Sequence, residues 1–268
     1  MLYIDEKKLS HISLMKDNFA ILMDFDRTIT SKDSLGSWSV LENPKFMCED
    51  FRIEAKKLVD IYYPYELNYS ISSNVKAKYL NEWYYKNMDL LYEYGLTKSI
   101  LLDCINDCHT KFHNGCKEFL DYMYKLNVPI VIISAGIGNV IIELLKKYNC
   151  FYPNISIFSN FIQFDNDKMV RFSDNMIHTS NKSMSVLPLD LQTEFLSKDY
   201  VLVFGDLVED LDMAKGIDFN KVLSFGFLEH SIKENLNFYR QAFDVVLTNG
   251  SSFFEVQNIL NNILNRAD

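Results

Sequence analysis

The stretches Phe19 to Met23, Pro129 to Ile133, Ile155 to Phe158, Tyr200 to Phe204, Val222 to Phe225 and Phe243 to Leu247 are short and apolar, with many β-branched positions. Each is closed off by polar or turn-forming residues. Runs of that length without strict alternation predict strands buried on both faces. Helical patterns fall between them, as in Asn139 to Tyr148 and Leu207 to Lys215. Strand and helix in alternation predict an α/β fold, a parallel sheet covered by helices on both sides.

The interval from Gly36 to Cys108 has a different pattern. Glu49 to Ile61, Asn74 to Tyr94 and Thr97 to His109 carry apolar residues at three-to-four spacing, with no strand-like run among them. That spacing marks amphipathic helices. The chain is therefore expected to divide into a core, residues 1–35 and 109–268, and a helical insert, residues 36–108. Asn160 to His178, with Asp165-Asn166-Asp167 at its centre, reads as a hairpin leaving the core. Val128 to Leu145 is long enough for a membrane span, but Ser134, two glycines, Asn139 and Glu143 break it into strand, loop and helix.

A chain of 268 residues holds either one α/β domain or a core with a smaller domain inserted. The formal net charge of −9 argues against broad binding to nucleic acid or a lipid surface, since both need a cationic face. It allows a small anionic substrate met by a metal and a few focused lysines. Met1 to Asp17 mixes acids and lysines with apolar residues and has no unbroken hydrophobic stretch, so a cytoplasmic rather than exported protein is expected, acting as a monomer on a small molecule. The five cysteines are odd in number and lack a framework spacing, which suits reduced thiols. Cys104, Cys108, His109, His113 and Cys116 raise a zinc site. Against it, Cys104 and Cys108 stand four apart in a helix-like run, where structural zinc sites begin with a tighter knuckle.

In an open parallel sheet, ligands sit beyond the carboxyl ends of the strands. Asp24 and Asp26 follow the first strand, Ser134 the second, and Asp206 and Asp210 the Tyr200 to Phe204 strand. Two carboxylates about 4 Å apart repel by roughly 4 kcal/mol at an effective dielectric near 20, so a cation is needed at Asp24-Phe25-Asp26. Magnesium fits, because it prefers oxygen ligands and takes one or two carboxylates plus water and phosphate. Asp206 is the natural second carboxylate. A carboxylate attacking phosphorus divides hydrolysis into two steps through an acyl phosphate. Asp24 suits that nucleophile, Asp26 the general acid and base, Ser134 with the amides of Ala135 and Gly136 the phosphoryl oxygens, and Lys182 the charge spread over them. Read singly, Asp210 is also an acid at a helix N-terminus, favoured by the dipole, and Lys182 a solvated loop lysine.

With these residues placed, the chain resembles the haloacid dehalogenase superfamily of phosphatases and, within it, the cytosolic 5'-nucleotidase III family. The resemblance runs from Ile21 nearly to the C-terminus. It rests on Asp24-Phe25-Asp26-Arg27-Thr28, Ile133-Ser134-Ala135-Gly136-Ile137-Gly138, Ser159-Asn160-Phe161, Ile177-His178-Thr179 with Asn181-Lys182, and Gly205-Asp206 through Asp210-Leu211 with Met213-Ala214. It implies a Rossmann-like core with a helical cap, and a magnesium-dependent phosphatase of nucleoside 5'-monophosphates, of the 7-methyl-GMP or CMP type. It implies Asp24 as nucleophile, Asp26 as acid and base, magnesium on Asp24, the Asp26 carbonyl and Asp206 with Asp210 beside them, and phosphate on Ser134, Ala135 and Lys182. The insert becomes the cap that reads the base: Tyr62-Tyr63-Pro64-Tyr65-Glu66 resembles the segment whose glutamate bonds the nucleobase, and Trp38 falls where the family stacks an aromatic ring on it. Without the resemblance Glu66 reads as a surface acid and Trp38 as a core tryptophan. An indole favours a cationic partner, which tilts the expectation toward 7-methylguanine. The segment Ser31 to Asn43 is shorter than in vertebrate members. The same core with its cap used differently would serve another small ester, a sugar phosphate or phosphoserine, and a non-catalytic binding module is the reading from a different class.

Overall fold

The computed structural model describes all residues except 6–8, 10, 11, 13–17, 69, 249 and 265–268. The reading of Met1 to Asp17 thus falls largely outside the described residues. A seven-stranded sheet forms the centre. Its strands are β1 (Leu2–Ile4), β2 (Phe19–Met23), β3 (Ile130–Ile137), β4 (Ile155–Asn160), β7 (Tyr200–Gly205), β8 (Val222–Leu228) and β9 (Val245–Thr248), in the order β1-β9-β8-β7-β2-β3-β4. All neighbours are parallel except β1, which runs antiparallel to β9. The three-residue β1 has no apolar run long enough to stand out in sequence. Its pairing is tertiary, Leu2 opposite Leu247 and Ile4 opposite Val245.

Successive residues of a strand point to opposite faces, and here both faces are dry. Ile21, Met23, Ile130, Ile132, Leu202 and Phe204 join one apolar cluster, while Ala20, Leu22, Val131, Ile133, Val201 and Val203 join the other. That is why these strands read as unbroken apolar runs. The helices of the first face include α4 (Cys116–Lys125), α5 (Gly138–Lys147) and α8 (Phe253–Leu264); α6 (Leu189–Ser197) covers the second and α7 (Ile232–Ala242) a smaller third cluster. The expected hairpin is β5 (Ile162–Asp165) with β6 (Lys168–Phe172), turning through Asn166 and Asp167, both at positive φ.

Between residues 36 and 108 the structure holds a 3-10 turn at Ser39–Glu42 and the helices α1 (Glu49–Glu66), α2 (Ser73–Glu93) and α3 (Lys98–Asp107). Helix α1 runs past the expected end at Ile61, through Pro64, to Glu66. Helix α2 buries Leu80, Trp83, Tyr84, Met88 and Leu91 on one stripe, and its rings meet those of α1, Tyr62 on Trp83 at 6.3 Å and Tyr65 on Tyr79 at 3.9 Å. None of the described helices is long and apolar enough to cross a membrane.

Two local departures from the sequence pattern shape the strand-end edge. The β3–β4 register breaks between Ile133 and Ile137, so Ser134, Ala135 and Gly136 leave the ladder. Leu207 to Lys215, expected as an α-helix, is instead a 3-10 turn over Val208–Ala214. The Asp210 carboxylate accepts the N–H groups of Asp206 (3.1 Å) and Leu207 (3.0 Å), which winds the first turn tightly.

Candidate active site

Strand register brings Asp24 and Asp206 to the same edge. Met23 lies opposite Ile132 of β3 and Phe204 of β7, so the next residues along the three strands end at the same level. The Asp24 N–H donates to the Phe204 carbonyl at 2.9 Å, which fixes Asp24 at the mouth of the sheet, 3 % exposed. Lys182, from the loop after the hairpin, is equally buried. Its ammonium donates to Asp24 Oδ1 and, at 2.9 Å, to Asp210 Oδ1. Lys182 is therefore a buried, doubly paired cation and no solvated loop residue.

Asp24, Asp206 and Asp210 each offer a carboxylate oxygen within 4.8 Å of the others. Burial pushes the Asp24 carboxyl up to about 7 against the pull of Lys182, with Asp210 and Asp26 raising it further. Asp206 is raised well above its ordinary value by burial first, then by Asp210 and Asp24. Burial draws the Lys182 ammonium down, but Asp210 and Asp24 outweigh it and hold it above the usual lysine range. Lys182, with Arg27 acting on Asp206 as well, faces three carboxylates here, and the cluster offers only oxygen donors. That donor set fits a hard divalent cation such as magnesium.

Asp26 stands beside this group. Burial raises its pKa, opposed by two hydrogen bonds from Ser37: the backbone N–H to Oδ1 at 2.9 Å and the hydroxyl to Oδ2 at 2.7 Å. Ser134, 1 % exposed, accepts the Gly136 N–H at 3.1 Å. The carbonyl of Ala135 is taken by Asn160 Nδ2 and by Trp38 Nε1, both at 3.0 Å, so the bulged loop is braced from the core and from the insert.

A cavity of about 380 Å³ opens over these groups, and residues of the insert line it as well. Trp38, half-buried, meets Tyr84 edge-to-face at 5.4 Å, and both line the cavity with Glu66. Burial raises the Glu66 carboxyl, opposed by Lys182, the Thr179 hydroxyl, Arg27 and Lys76. The Lys76 ammonium, itself buried, donates to the Glu66 carbonyl and to Glu209 Oε1, both at 2.8 Å. It thus joins α2, the end of α1 and the 3-10 turn behind Asp206.

The structure brings Asp24, Asp26, Ser134, Ala135, Lys182, Asp206, Glu66 and Trp38 to one cavity; Asp210 lies just behind, in contact through Lys182. Sequence reasoning missed Ser37, Tyr84 and Arg27, which also line or support it. Arg27, at φ 62°, lay inside the first motif but was given no role there. Nothing local marks Tyr84 apart from the other aromatic residues of its helix. Among the described residues no metal-compatible cluster includes a cysteine; Cys108 spends its thiol on the Ile105 carbonyl at 3.1 Å.

The model of the UMPH-1 family, pyrimidine 5'-nucleotidase, matches residues 25–264. The chain belongs to this pyrimidine 5'-nucleotidase family. It is similar to 7-methylguanosine phosphate-specific 5'-nucleotidases of Mus musculus, 30 % identical over 94 % of this chain and 87 % of that one, and of Gallus gallus, 31 % identical over 91 % and 87 %. A crystal structure of cytosolic 5'-nucleotidase IIIB bound to cytidine superimposes with a TM-score of 0.85 at 25 % identity, covering 99 % of this chain and 94 % of that one. Phosphoserine phosphatase shares the fold, with a TM-score of 0.56 at 15 % identity, over 93 % of this chain and 99 % of that one. The family member described here is thus a phosphoric monoester hydrolase with the haloacid dehalogenase fold.

Proposed function

We propose that this enzyme hydrolyses nucleoside 5'-monophosphates, 7-methyl-GMP and CMP foremost, through an aspartyl phosphate on Asp24. The observation that carries the reading is a single cavity lined both by Asp24 and Lys182, with Asp210 paired to Lys182 behind them, and by Glu66, Trp38 and Tyr84 of the insert. Residues 1–35 and 109–268 then act as the catalytic core and residues 36–108 as the specificity cap, in a cytoplasmic enzyme.

Asp24 attacks phosphorus while the P–O bond to the nucleoside breaks, and Asp26 gives its proton to the departing oxygen. Asp26, now ionised, takes a proton from water as that water attacks the acyl phosphate; phosphate leaves and Asp24 is restored. Ser134, the Ala135 N–H and Lys182 hold the phosphoryl oxygens through both steps. Magnesium, when bound by the Asp24 and Asp206 carboxylates and the Asp26 carbonyl with Asp210 adjoining, offsets the phosphate charge. Asp210 also holds Lys182 and the Asp206 loop in place. Glu66 accepts from the exocyclic amine of the base, and the Trp38 and Tyr84 rings flank it. An indole is the ring best suited to the positive charge of 7-methylguanine.

Phosphate release from 7-methyl-GMP, CMP, UMP and GMP, with and without magnesium, tests the reading. Turnover of the first two that requires magnesium and is lost in Asp24→Asn is expected. Turnover of none of the four, beside activity on a sugar phosphate or phosphoserine, would overturn it.

A further inference from the structure

Asp26 is held by a residue outside the strand edge. Ser37 is fully buried, although it belongs to the segment that leads into the helical insert. It donates to both oxygens of the Asp26 carboxyl, from its N–H at 2.9 Å and its hydroxyl at 2.7 Å. Two bonds from one residue to the two oxygens fix the plane of the carboxyl group as well as its position. The Ser37 Oγ accepts the Ile137 N–H at 3.2 Å, which leaves the hydroxyl proton for Asp26. Ile137 directly follows the bulged Ser134–Gly136 loop. A Cβ at Gly136 would lie 2.0 Å from Ser37 Oγ and 3.1 Å from Asp26 Oδ2, so this close approach requires glycine at 136.

We propose that Ser37 is a positioning residue for leaving-group protonation, holding the Asp26 carboxyl in the plane from which it delivers its proton. The proposal rests on Asp26 being the acid and base, as argued above. Each carboxyl oxygen has two lone pairs, so the bonds from Ser37 leave a site on each oxygen for the cavity. In the first step the Asp26 O–H bond breaks, its electron pair stays on Asp26, and the proton bonds to the departing oxygen as the P–O bond breaks. Turned out of plane, the carboxyl still sits in the cavity but meets that oxygen poorly. Because Ser37 also bonds the loop that carries Ser134, acid alignment and phosphate binding depend on the same seating of residues 36 to 38.

The test compares turnover of phenyl phosphate and p-nitrophenyl phosphate by wild type, Ser37→Ala, Ser37→Thr and Asp26→Asn. The two esters share a ring and differ in the basicity of the leaving oxygen, so proton donation matters more for phenyl phosphate. In Ser37→Ala the ratio of phenyl to p-nitrophenyl turnover is expected to fall about tenfold, a fraction of the usual contribution of general acid catalysis. Ser37→Thr keeps the hydroxyl and should restore most of the ratio, while Asp26→Asn should lower it at least as far as Ser37→Ala. The ratio compares two substrates on one preparation, so a smaller folded fraction cancels. An unchanged ratio in Ser37→Ala beside a lowered one in Asp26→Asn would overturn the proposal and leave the role of Asp26 standing. An unchanged ratio in both would overturn the two together.

Discussion

The cavity has two walls built on different principles. On the core side, position follows from backbone register: Asp24, and one residue further along their strands Ser134 and Asp206, emerge at one edge because β2, β3 and β7 are parallel and in step. On the insert side, position follows from side-chain packing. Trp38 is fixed by the Ala135 carbonyl and the Tyr84 ring, and Glu66 sits where α1 ends against Lys76. The core wall should therefore govern the chemistry of any phosphate ester, and the insert wall the choice among esters. Substitutions on each side test that division.

The largest effect is expected at Lys182. Lys182→Met removes the only side-chain cation paired with Asp24 and Asp210 among the described residues. Turnover of nucleotides and of p-nitrophenyl phosphate should fall alike, by about 10²–10³-fold. The same change leaves two buried carboxylates uncompensated, for a loss of about 3–5 kcal/mol in urea unfolding. Equal turnover of p-nitrophenyl phosphate by wild type and variant would remove Lys182 from the chemistry.

Glu66→Ala should divide the substrates. Loss of a hydrogen bond to a charged group, about 1.5–3 kcal/mol, lowers kcat/KM for 7-methyl-GMP and CMP by roughly 10–100-fold. Turnover of p-nitrophenyl phosphate should stay within about twofold. Equal losses would show that Glu66 serves the core and not the base.

A smaller effect is expected where the walls are clasped. Lys76→Met cuts the link from α2 to Glu209 and to the Glu66 carbonyl. KM for nucleotides should rise roughly three- to tenfold, about 1 kcal/mol, as for the one of the two bonds that holds the Glu66 carbonyl, while kcat changes less. A fall in kcat alone would place Lys76 with the chemistry.

An effect on stability and not on turnover concerns His178, which is buried on the core side with its ring 6.4 Å from Tyr84. Burial lowers its pKa from the ordinary 6.5 to about 4. The unfolded chain binds that proton more readily than the folded one, so the stability tied to the neutral ring is intact above about pH 6.5. It is lost as pH falls toward 4, by up to about 1.4 kcal/mol per pH unit. In metal-free protein His178→Gln should flatten the fall in urea midpoint between pH 6.5 and 5, and an equal slope in wild type and variant would contradict this.

The two walls also differed in how plainly the sequence showed them. The strands of the core were legible because both faces are buried, which turns each into an unbroken apolar run such as Phe19–Met23. Strand ends then named Asp24, Asp26, Ser134 and Asp206 without any contact being known. Strand β1 was not legible, since Leu2–Ile4 gains its meaning only from β9. In the insert the helices were legible and their partners were not. Tyr84 differs from Tyr85 only in which side of α2 meets the core, and Ser37 is one more loop serine until the fold sets it against Asp26. Read singly, Lys182 looked solvated, because a lysine's surroundings are a tertiary fact; its place in the site rested on the resemblance.

The central claim is that phosphoryl transfer runs through Asp24, the residue the β2 register places at the mouth of the sheet. Rapid acid quench of the enzyme turning over CMP or 7-methyl-GMP, followed by borohydride reduction and peptide mass analysis, tests it directly, because reduction of an aspartyl phosphate leaves homoserine at that position. Homoserine at position 24, absent without nucleotide and absent in Asp24→Asn, is expected. Turnover that continues in Asp24→Asn, or homoserine at another aspartate, would contradict the account.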